Sequence, residues 1–178
     1  ESSSLPLFYI FTKYIIPLDN IFIFKLFGFL ISLACLFLFY FTLKFKLKLN
    51  EFNLNILLIS SILFISSSFR TDAFFGLEEN IGFFFLLVSL IFFYMYQNNP
   101  LKKYRALAIF FSCLVFYTRQ TYAFVPIITY LFFLDKNTIF SKNNFKLSFY
   151  YFIFLTPSLF FFNAWNSFVP PLASNRIV

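Results

Sequence analysis

The largest group of acidic side chains falls in the segment 66–80, between two long apolar stretches. It contains Arg70, Asp72, Glu78 and Glu79, and so three of the seven acidic residues of the chain. A polar segment in this position is either a solvated loop or a site at a membrane surface. In a site, the three carboxylates are the catalytic candidates, because a positioned carboxylate can act as a general base. Arg70 is a substrate-binding candidate, because its planar side chain can bind two oxygens of a phosphate at once.

A second polar interruption, formed by Arg119 and Gln120, divides another apolar stretch. Two interpretations compete: two short helices that meet at Arg119, or one long broken span that carries a buried arginine. A cation within a membrane needs an acidic partner or an anionic ligand. An ion pair of Arg119 with Asp72 or Glu78 is the structural explanation, and it does not exclude a role in binding a phosphate.

The composition excludes a soluble domain. Of 178 residues, 61% are hydrophobic and only 12% are charged, and a fold of this size cannot bury so much apolar surface. We therefore expect an all-helical, multi-span integral membrane protein. The chain has no histidine, which excludes catalysis and metal binding by imidazole in these residues. Cys35 and Cys113 lie in apolar stretches and resemble small buried hydrophobic residues, and no spacing specifies a metal site.

Six apolar stretches predict transmembrane helices within one domain that covers residues 1–178. They are 21–43, 52–69, 81–96, 105–118, 121–134 and 147–163. Residues 5–16 are too few to cross a bilayer and predict an additional short helix, with Pro6 suited to its first turn. Pro126 lies inside the fifth stretch, where its missing backbone donor is expected to disturb the helix locally.

Basic residues are spread over the segments between the predicted helices, a pattern typical of membrane topology and not of nucleic-acid binding. Three segments have an excess of lysine and arginine, namely 44–51, 97–105 and 135–146. The positive-inside rule places these three on the cytoplasmic face. The segment 70–80, the turn at Arg119 and the tail 164–178 then share the opposite face. This alternation favours two short helices that meet at Arg119.

The order of several short motifs resembles the GT-C class of multi-span glycosyltransferases. Residues 69–76 (Phe-Arg-Thr-Asp-Ala-Phe-Phe-Gly) precede a long apolar stretch, a basic loop, residues 106–109 (Ala-Leu-Ala-Ile) and residues 117–122 (Tyr-Thr-Arg-Gln-Thr-Tyr). The element 119–121 is similar to one in the family that adds the terminal glucose to the lipid-linked oligosaccharide. That family usually has asparagine at the position of Tyr122.

The opening Pro6–Tyr9 (Pro-Leu-Phe-Tyr) is similar to a Pro-Leu-Tyr-Tyr stretch in relatives of the protein mannosyltransferases. The resemblance therefore covers roughly residues 4–135. In these families the stretch follows the first extracytoplasmic loop, which carries the catalytic acid. The resemblance implies that the chain is a fragment, that its principal catalytic loop lies upstream of Glu1, and that the carboxylates of segment 66–80 are secondary candidates.

What the resemblance implies is sugar transfer on the non-cytoplasmic side of a bacterial inner membrane or of the endoplasmic reticulum. The donor is a polyprenyl-phosphate-linked sugar, a carboxylate activates the acceptor hydroxyl, and arginine holds the departing lipid phosphate. Arg70, Arg119, Gln120 and Tyr122 are the substrate-binding candidates on this basis. Some relatives use a divalent metal, but no residue pattern here specifies a metal or another cofactor. Membrane lipids are the other expected partners, and nucleic acid is not expected.

Two other functions remain open from the sequence. A transporter or flippase for a lipid-linked glycan would also have a buried arginine and a broken helix. A membrane subunit without chemistry would use its charged segments only to set topology. Inverted repeats in a full-length sequence would favour the transporter, and an acidic pair in an upstream loop would favour the enzyme.

Overall fold

All regular structure is helical in the residues that the computed structural model describes, which are 21–49, 51–75, 78–118, 122–135 and 140–165. The helices are α1 (Ile21–Lys46), α2 (Leu54–Ser61), α3 (Ser67–Phe75), α4 (Glu78–Asn98), α5 (Lys102–Thr118), α6 (Phe124–Phe133) and α7 (Lys142–Trp165), with a 3-10 turn (Ile62–Ile65) between α2 and α3. The prediction of an all-helical fold is confirmed. The short helix predicted at 5–16 lies outside the described residues.

The end of α1 is closed by two backbone hydrogen bonds. The amide of Leu49 donates to the carbonyl of Lys44 at 3.1 Å, and the amide of Lys48 donates to that of Phe45 at 3.3 Å. Lys48 has a φ of 55°, the left-handed conformation that this closure requires. Lys44 and Lys46 lie in the last turn, where positive charge interacts favourably with the helix dipole.

The predicted span 52–69 is not one straight helix. The axis bends by 74° between the end of the 3-10 turn and the start of α3. The bend lies at Ser66, which has an extended backbone with φ −62° and ψ 122°. The Ser66 hydroxyl accepts a hydrogen bond from the amide of Phe69 at 3.4 Å, as a helix N-cap does. Serine interrupts helices in this way because its short side chain bonds to nearby backbone groups.

The polar segment 70–80 is helical in most of its described residues and is not an irregular loop. Helix α3 continues to Phe75, and α4 begins at Glu78. Glu78 and Glu79 therefore occupy the first turn of α4, where a negative charge contributes about 0.3–1 kcal/mol through the helix dipole. Their position explains the two acidic residues structurally, before any catalytic role is considered.

The region 105–134 forms two helices, as predicted, because α5 ends at Thr118 and α6 begins at Phe124. The expectation that Pro126 disturbs its helix is wrong. Pro126 is the third residue of α6, and the first backbone donors of a helix have no partner within it, so no hydrogen bond is lost. Helix α6 has only ten residues, and it extends about 15 Å, half the thickness of a bilayer core.

A different proline, Pro157, lies inside α7. Next to it, a side-chain hydroxyl from α5 forms hydrogen bonds with two backbone groups of α7. The amide of Ser158 donates to the hydroxyl of Tyr117 at 3.1 Å. The same hydroxyl donates to the carbonyl of Phe154 at 2.9 Å. In a regular helix, the amide of Ser158 would donate directly to the carbonyl of Phe154. Here the hydroxyl of Tyr117 bonds to both groups instead, and such insertions into a helix accompany kinks.

Replacing Tyr117 with phenylalanine is expected to destabilise the contact of α5 with α7 by about 1–2 kcal/mol, because two backbone groups lose their partner while the ring remains. The measurement is the thermal unfolding midpoint in detergent, followed by labelling of the buried thiol of Cys113 in a Cys35→Ala background. Tyr104→Phe on the same helix is the control, since the Tyr104 ring stacks on Phe92 and this contact is kept. Equal midpoints for Tyr117→Phe and the parent protein would contradict the prediction.

The helices alternate in direction along the bundle. Ser89 of α4 donates from its hydroxyl to the carbonyl of Ala108 in α5 at 2.8 Å, and these two helices are antiparallel. Helix α6 folds back on α5, and α7 folds back on α6. The hydroxyl of Tyr151 in α7 donates to Oγ1 of Thr129 in α6 at 2.8 Å, inside the bundle. This alternation brings every second connection to the same end.

One end, which we call the basic end, consists of 44–49, 98–105, 135 and 140–146. Nδ2 of Asn98 donates to the carbonyl of Phe45 at 3.3 Å, which joins the end of α4 to that of α1. Nη2 of Arg105 donates to the carbonyl of Asn143 at 3.3 Å, which joins the start of α5 to that of α7. The predicted grouping of the three basic segments on one side of the protein is therefore confirmed for their described residues.

The opposite end, which we call the acidic end, holds Asp72, Glu78 and Glu79. The start of α1, with Lys25, and the end of α5 lie at the same end, because the helix directions alternate. The acidic end therefore contains the polar segment that the sequence singles out, and the chain between α5 and α6 departs from it.

The bundle buries small polar side chains and exposes large apolar ones. Its buried polar residues are Ser32, Thr42, Ser60, Asn80, Ser89, Ser112, Thr118, Thr129 and Asn144. The exposed apolar residues on α1, α6 and α7 include Phe22, Phe29, Leu30, Phe37, Ile127, Leu131, Phe132, Phe149 and Phe152. Small polar residues between helices allow close packing and interhelical hydrogen bonds in lipid. A surface with so many exposed apolar side chains is typical of a membrane interface.

By length and composition, two of the described helices can cross a membrane, over Phe22–Lys46 and Glu79–Asn98. The bent pair Leu54–Ile65 and Ser67–Phe74 adds a third if it is one broken span. This number is smaller than the six predicted, because Ser66 breaks the second stretch, α6 is short, and α5 and α7 begin with polar residues. The class that follows is a helical membrane protein.

Candidate functional site

The acidic end is built where α4 approaches the turn between α5 and α6. Gly82 of α4 lies directly against Thr118 and Tyr122. A Cβ atom on Gly82 would lie 2.5 Å from Cε2 of Tyr122 and 2.7 Å from Oγ1 of Thr118. Such distances are shorter than van der Waals contact, so the approach depends on glycine. Gly82 therefore allows the end of α5 and Tyr122 to lie against the first turns of α4.

Asn80 joins three helices at the same level of the bundle and is almost fully buried. Its Nδ2 donates to Oγ of Ser32 in α1 at 2.6 Å and to the carbonyl of Phe69 in α3 at 3.1 Å. The backbone carbonyl of Asn80 accepts a weaker hydrogen bond from the thiol of Cys35 at 3.6 Å. Because buried amides are costly unless they are paired, this network fixes the position of α3 against α1 and α4.

The candidate carboxylates differ in their surroundings. Glu79 is half-buried, and its Oε2 lies in the interior. Asp72 is also half-buried, on α3. Glu78 is the first residue of α4, and its side chain lies outside the described part of the structure. Asp72 and Glu79 are therefore the two candidate carboxylates whose side chains the structure describes, and both are partly shielded from solvent.

Arg70 and Asp72 are two residues apart on α3, so their side chains point in different directions. Arg70 is exposed and lines a cleft of about 500 Å³ between α1 and α3. Tyr122 instead packs against Gly82, and its ring contacts Phe124 edge-on at 6.5 Å between centroids. The binding candidates Arg70 and Tyr122 therefore contact different helices and do not form one cluster.

Arg119 and Gln120 lie outside the described residues, and so does the ion pair expected of Arg119. The described residues on either side of them in the sequence, Thr118 and Tyr122, both contact Gly82.

The rest of the described structure offers little other polar chemistry. No group of three or more metal-binding side chains that could hold a metal ion occurs among the described residues. A second cavity, of about 370 Å³, lies between α5, α6 and α7. Its walls are mostly apolar, with the hydroxyl-bearing residues Tyr130, Tyr151 and Ser158 among them. Such a cavity can accommodate apolar groups, and no charged residue is among the described residues that line it.

Three residues of the acidic end were not identified by the sequence reasoning as part of a site. From the sequence, Asn80 is identified only as the last residue of the polar segment 66–80, and no role is assigned to Lys25 or Gly82. Gly82 is one of only three glycines, and an isolated glycine in a helix often marks a close approach of two backbones or side chains. That signal was available in the sequence, but the partner of Gly82 was not.

No protein-family profile, curated protein or solved structure matches this chain. The fold and the site define a class for the described residues: an all-helical protein with two helices long and apolar enough to cross a membrane, one basic end and one acidic end.

Proposed function

We propose that this chain is part of a multi-span membrane glycosyltransferase of the GT-C class, which uses a polyprenyl-phosphate-linked sugar donor at the acidic end. The observation that carries the proposal is the contact of Gly82 with Thr118 and Tyr122. It supports a shared site because Thr118 and Tyr122, which flank Arg119 and Gln120 in the sequence, lie at the end that holds the half-buried carboxylates.

The proposal includes a membrane location for α5, α6 and α7 together with α1, α4 and the bent pair of α2 and α3, which gives about six spans in the bilayer. The large apolar residues on the outer faces of α6 and α7 support it, since they would otherwise face water. The positive-inside rule then orients the basic end to the cytoplasm and the acidic end to the other side.

In the proposed reaction, the acceptor oxygen bonds to C1 of the sugar while its proton passes to a carboxylate. The bond between C1 and the donor's phosphate oxygen breaks, and the phosphate leaves with the electron pair. Asp72, Glu78 and Glu79 are the carboxylates proposed for the first role. Arg119 and Gln120 are proposed to bind the departing phosphate, because a guanidinium can donate two parallel hydrogen bonds to it.

The test is sugar transfer from a polyprenyl-phosphate donor in membranes that contain the protein with any further segments of its reading frame. Arg119→Ala is expected to lower the rate about 100-fold or more, the effect of removing one positioned donor to developing charge. Arg119→Lys keeps the charge but loses the planar geometry, and we expect it to remain impaired. Protein amounts are matched by quantitative immunoblotting.

Arg105→Lys is the control, because Arg105 lies at the basic end and donates to a backbone carbonyl there. Its rate is expected to stay within about twofold of the parent protein, because lysine keeps the charge and the position lies at the opposite end of the bundle from the acidic end. Full activity of both Arg119 variants would make Arg119 a structural or topological charge, and the proposed phosphate role would be wrong.

A transporter for a lipid-linked glycan is the second candidate, and the 74° bend at Ser66 favours it. Transporters commonly bind their substrates where membrane helices are broken. Proteoliposomes separate the two functions, because a transporter moves a fluorescent polyprenyl-phosphate glycan across the bilayer without an acceptor. Transbilayer movement without sugar transfer would replace the enzyme proposal by this one.

A further inference from the structure

The cleft between α1 and α3 combines two cations with apolar walls. Lys25 contributes one cation from α1, and Arg70 contributes the other from α3. Phe22, Leu26 and Phe29 line the α1 side and are all exposed on the outer surface of the bundle. No acidic residue is among the described residues that line the cleft. A cleft with this lining matches an amphiphile with an anionic head and an apolar chain.

The two cations are held differently. Nζ of Lys25 lies 4.5 Å from the centroid of the Phe74 ring, a cation–π distance, and Lys25 is half-buried. Because Phe74 belongs to α3, this contact holds the ammonium group of Lys25 beside the α3 wall of the cleft. Arg70 is exposed, one turn before Phe74 on the same helix, and its planar group can bind two phosphate oxygens.

The position of the cleft along α1 matches the level of the lipid headgroups in a bilayer. Lys25 is four residues from the start of α1, about 6 Å along the helix axis. Lysine and arginine near the ends of a spanning helix reach the interface, where lipid phosphates lie. Because the cleft opens on the lipid-facing side of α1, its occupant comes from the bilayer itself, in which phospholipids are the abundant phosphate-bearing amphiphiles.

We infer that this cleft binds one anionic phospholipid, with its phosphate between Lys25 and Arg70 and an acyl chain along Phe22, Leu26 and Phe29. A zwitterionic headgroup fits less well, because its ammonium group meets two cations, and the described residues that line the cleft include no carboxylate. The inference does not depend on the proposed glycosyltransferase function, whose carrying contact lies on α4 at Gly82. The lipid-binding assay contains no sugar donor and no acceptor. The lipid-binding inference and the glycosyltransferase proposal can therefore fail independently of each other.

The experiment titrates phosphatidylglycerol into the purified chain in a neutral detergent and counts bound lipids by native mass spectrometry. The double variant Lys25→Gln/Arg70→Gln is expected to bind the first phosphatidylglycerol about tenfold more weakly, the effect of removing two cations from one phosphate. Lys25→Arg, which keeps the charge, is expected to retain binding. In the parent protein, phosphatidylglycerol is expected to bind more tightly than phosphatidylcholine.

Lys102→Gln/Lys103→Gln is the matched control. It removes the same charge from exposed positions at the basic end, and Lys103 also lies over an aromatic ring, that of Tyr104, at 5.1 Å. A change of at most about twofold in the control supports the cleft as the site. Equal losses in both double variants, or no preference for phosphatidylglycerol over phosphatidylcholine, would overturn the inference. So would displacement of the bound phospholipid by undecaprenyl phosphate at much lower concentration, because the cleft would then belong to the polyprenyl lipid.

Discussion

Gly82→Leu is expected to destabilise the protein by about 3 kcal/mol, at the upper end of the cost of overfilling a packed interface. Even a single added carbon would meet Tyr122 at 2.5 Å and Thr118 at 2.7 Å. A leucine therefore has to displace the turn between α5 and α6 from α4. Gly82→Ala is expected to cost less, about 1 kcal/mol, because the Tyr122 ring can rotate and alanine favours the helix.

The unfolding midpoint of each variant is measured in detergent by labelling of the buried thiols Cys35 and Cys113. A double variant separates the steric cause from a general loss of helix packing. Tyr122→Ala removes the nearer clash, so Gly82→Ala should cost less in that background than in the parent protein. An equal cost in both backgrounds would show that Tyr122 and Gly82 are not in contact.

The same variants connect the contact to the proposed function. If residues 119–121 act together with the carboxylates of the acidic end, moving the turn away from α4 separates them. The rate of sugar transfer by Gly82→Leu is then expected to fall by more than the amount of folded protein falls. The reason is that a misplacement of about 1 Å in a site can lower a reaction rate about 100-fold. Activity that falls only in proportion to folded protein would leave Gly82 with a purely structural role.

Asn80→Leu is the second change with a large expected effect, a loss of about 2 kcal/mol. The leucine has a similar volume but makes neither of the hydrogen bonds to Ser32 and Phe69. The carbonyl of Phe69 then loses its side-chain donor, and α3 loses a connection to α1 and α4. Interhelical hydrogen bonds in membranes contribute at most about 1.7 kcal/mol each and often less, so a loss above about 3 kcal/mol is not expected.

The thiol of Cys35 is a local reporter of this change, because it bonds to the backbone carbonyl of Asn80. In a Cys113→Ala background, Cys35 is expected to become labelled at lower temperature in Asn80→Leu. Asn98→Leu is the matched control on the same helix, since Asn98 is exposed and makes a 3.3 Å contact at the other end. Equal labelling temperatures for the two variants would rule out a central role for the Asn80 network.

The two prolines of the α6 and α7 regions illustrate the limit of local patterns. Pro126 looks disruptive inside an apolar stretch, yet it occupies the first turn of α6, where a missing donor has no cost. Pro157 is inside α7, and the hydroxyl of Tyr117 from a different helix bonds to the two groups beside it. The effect of Pro126 depends on where α6 begins. The effect of Pro157 depends on Tyr117, a residue about forty positions away in the chain.

The helical class and the grouping of charges could be predicted from the sequence. Long apolar stretches must form helices in lipid, because no water is present to bond to their backbone groups. The alternation of basic and acidic segments along the chain predicted the two ends of the bundle, since each helix reverses the direction of the chain. The separation of the stretch 105–134 into two helices followed from the same alternation.

Which residues meet at the acidic end was decided by contacts between helices that are distant in sequence. The close approach at Gly82, the Asn80 network and the pairing of Lys25 with Arg70 across a cleft each join faces of different helices. Residue spacing gives the face of one helix, but it does not give the rotation and height at which a second helix packs against it. For this reason Arg70 and Tyr122, which the sequence placed in one site, lie on different helix surfaces in the folded chain.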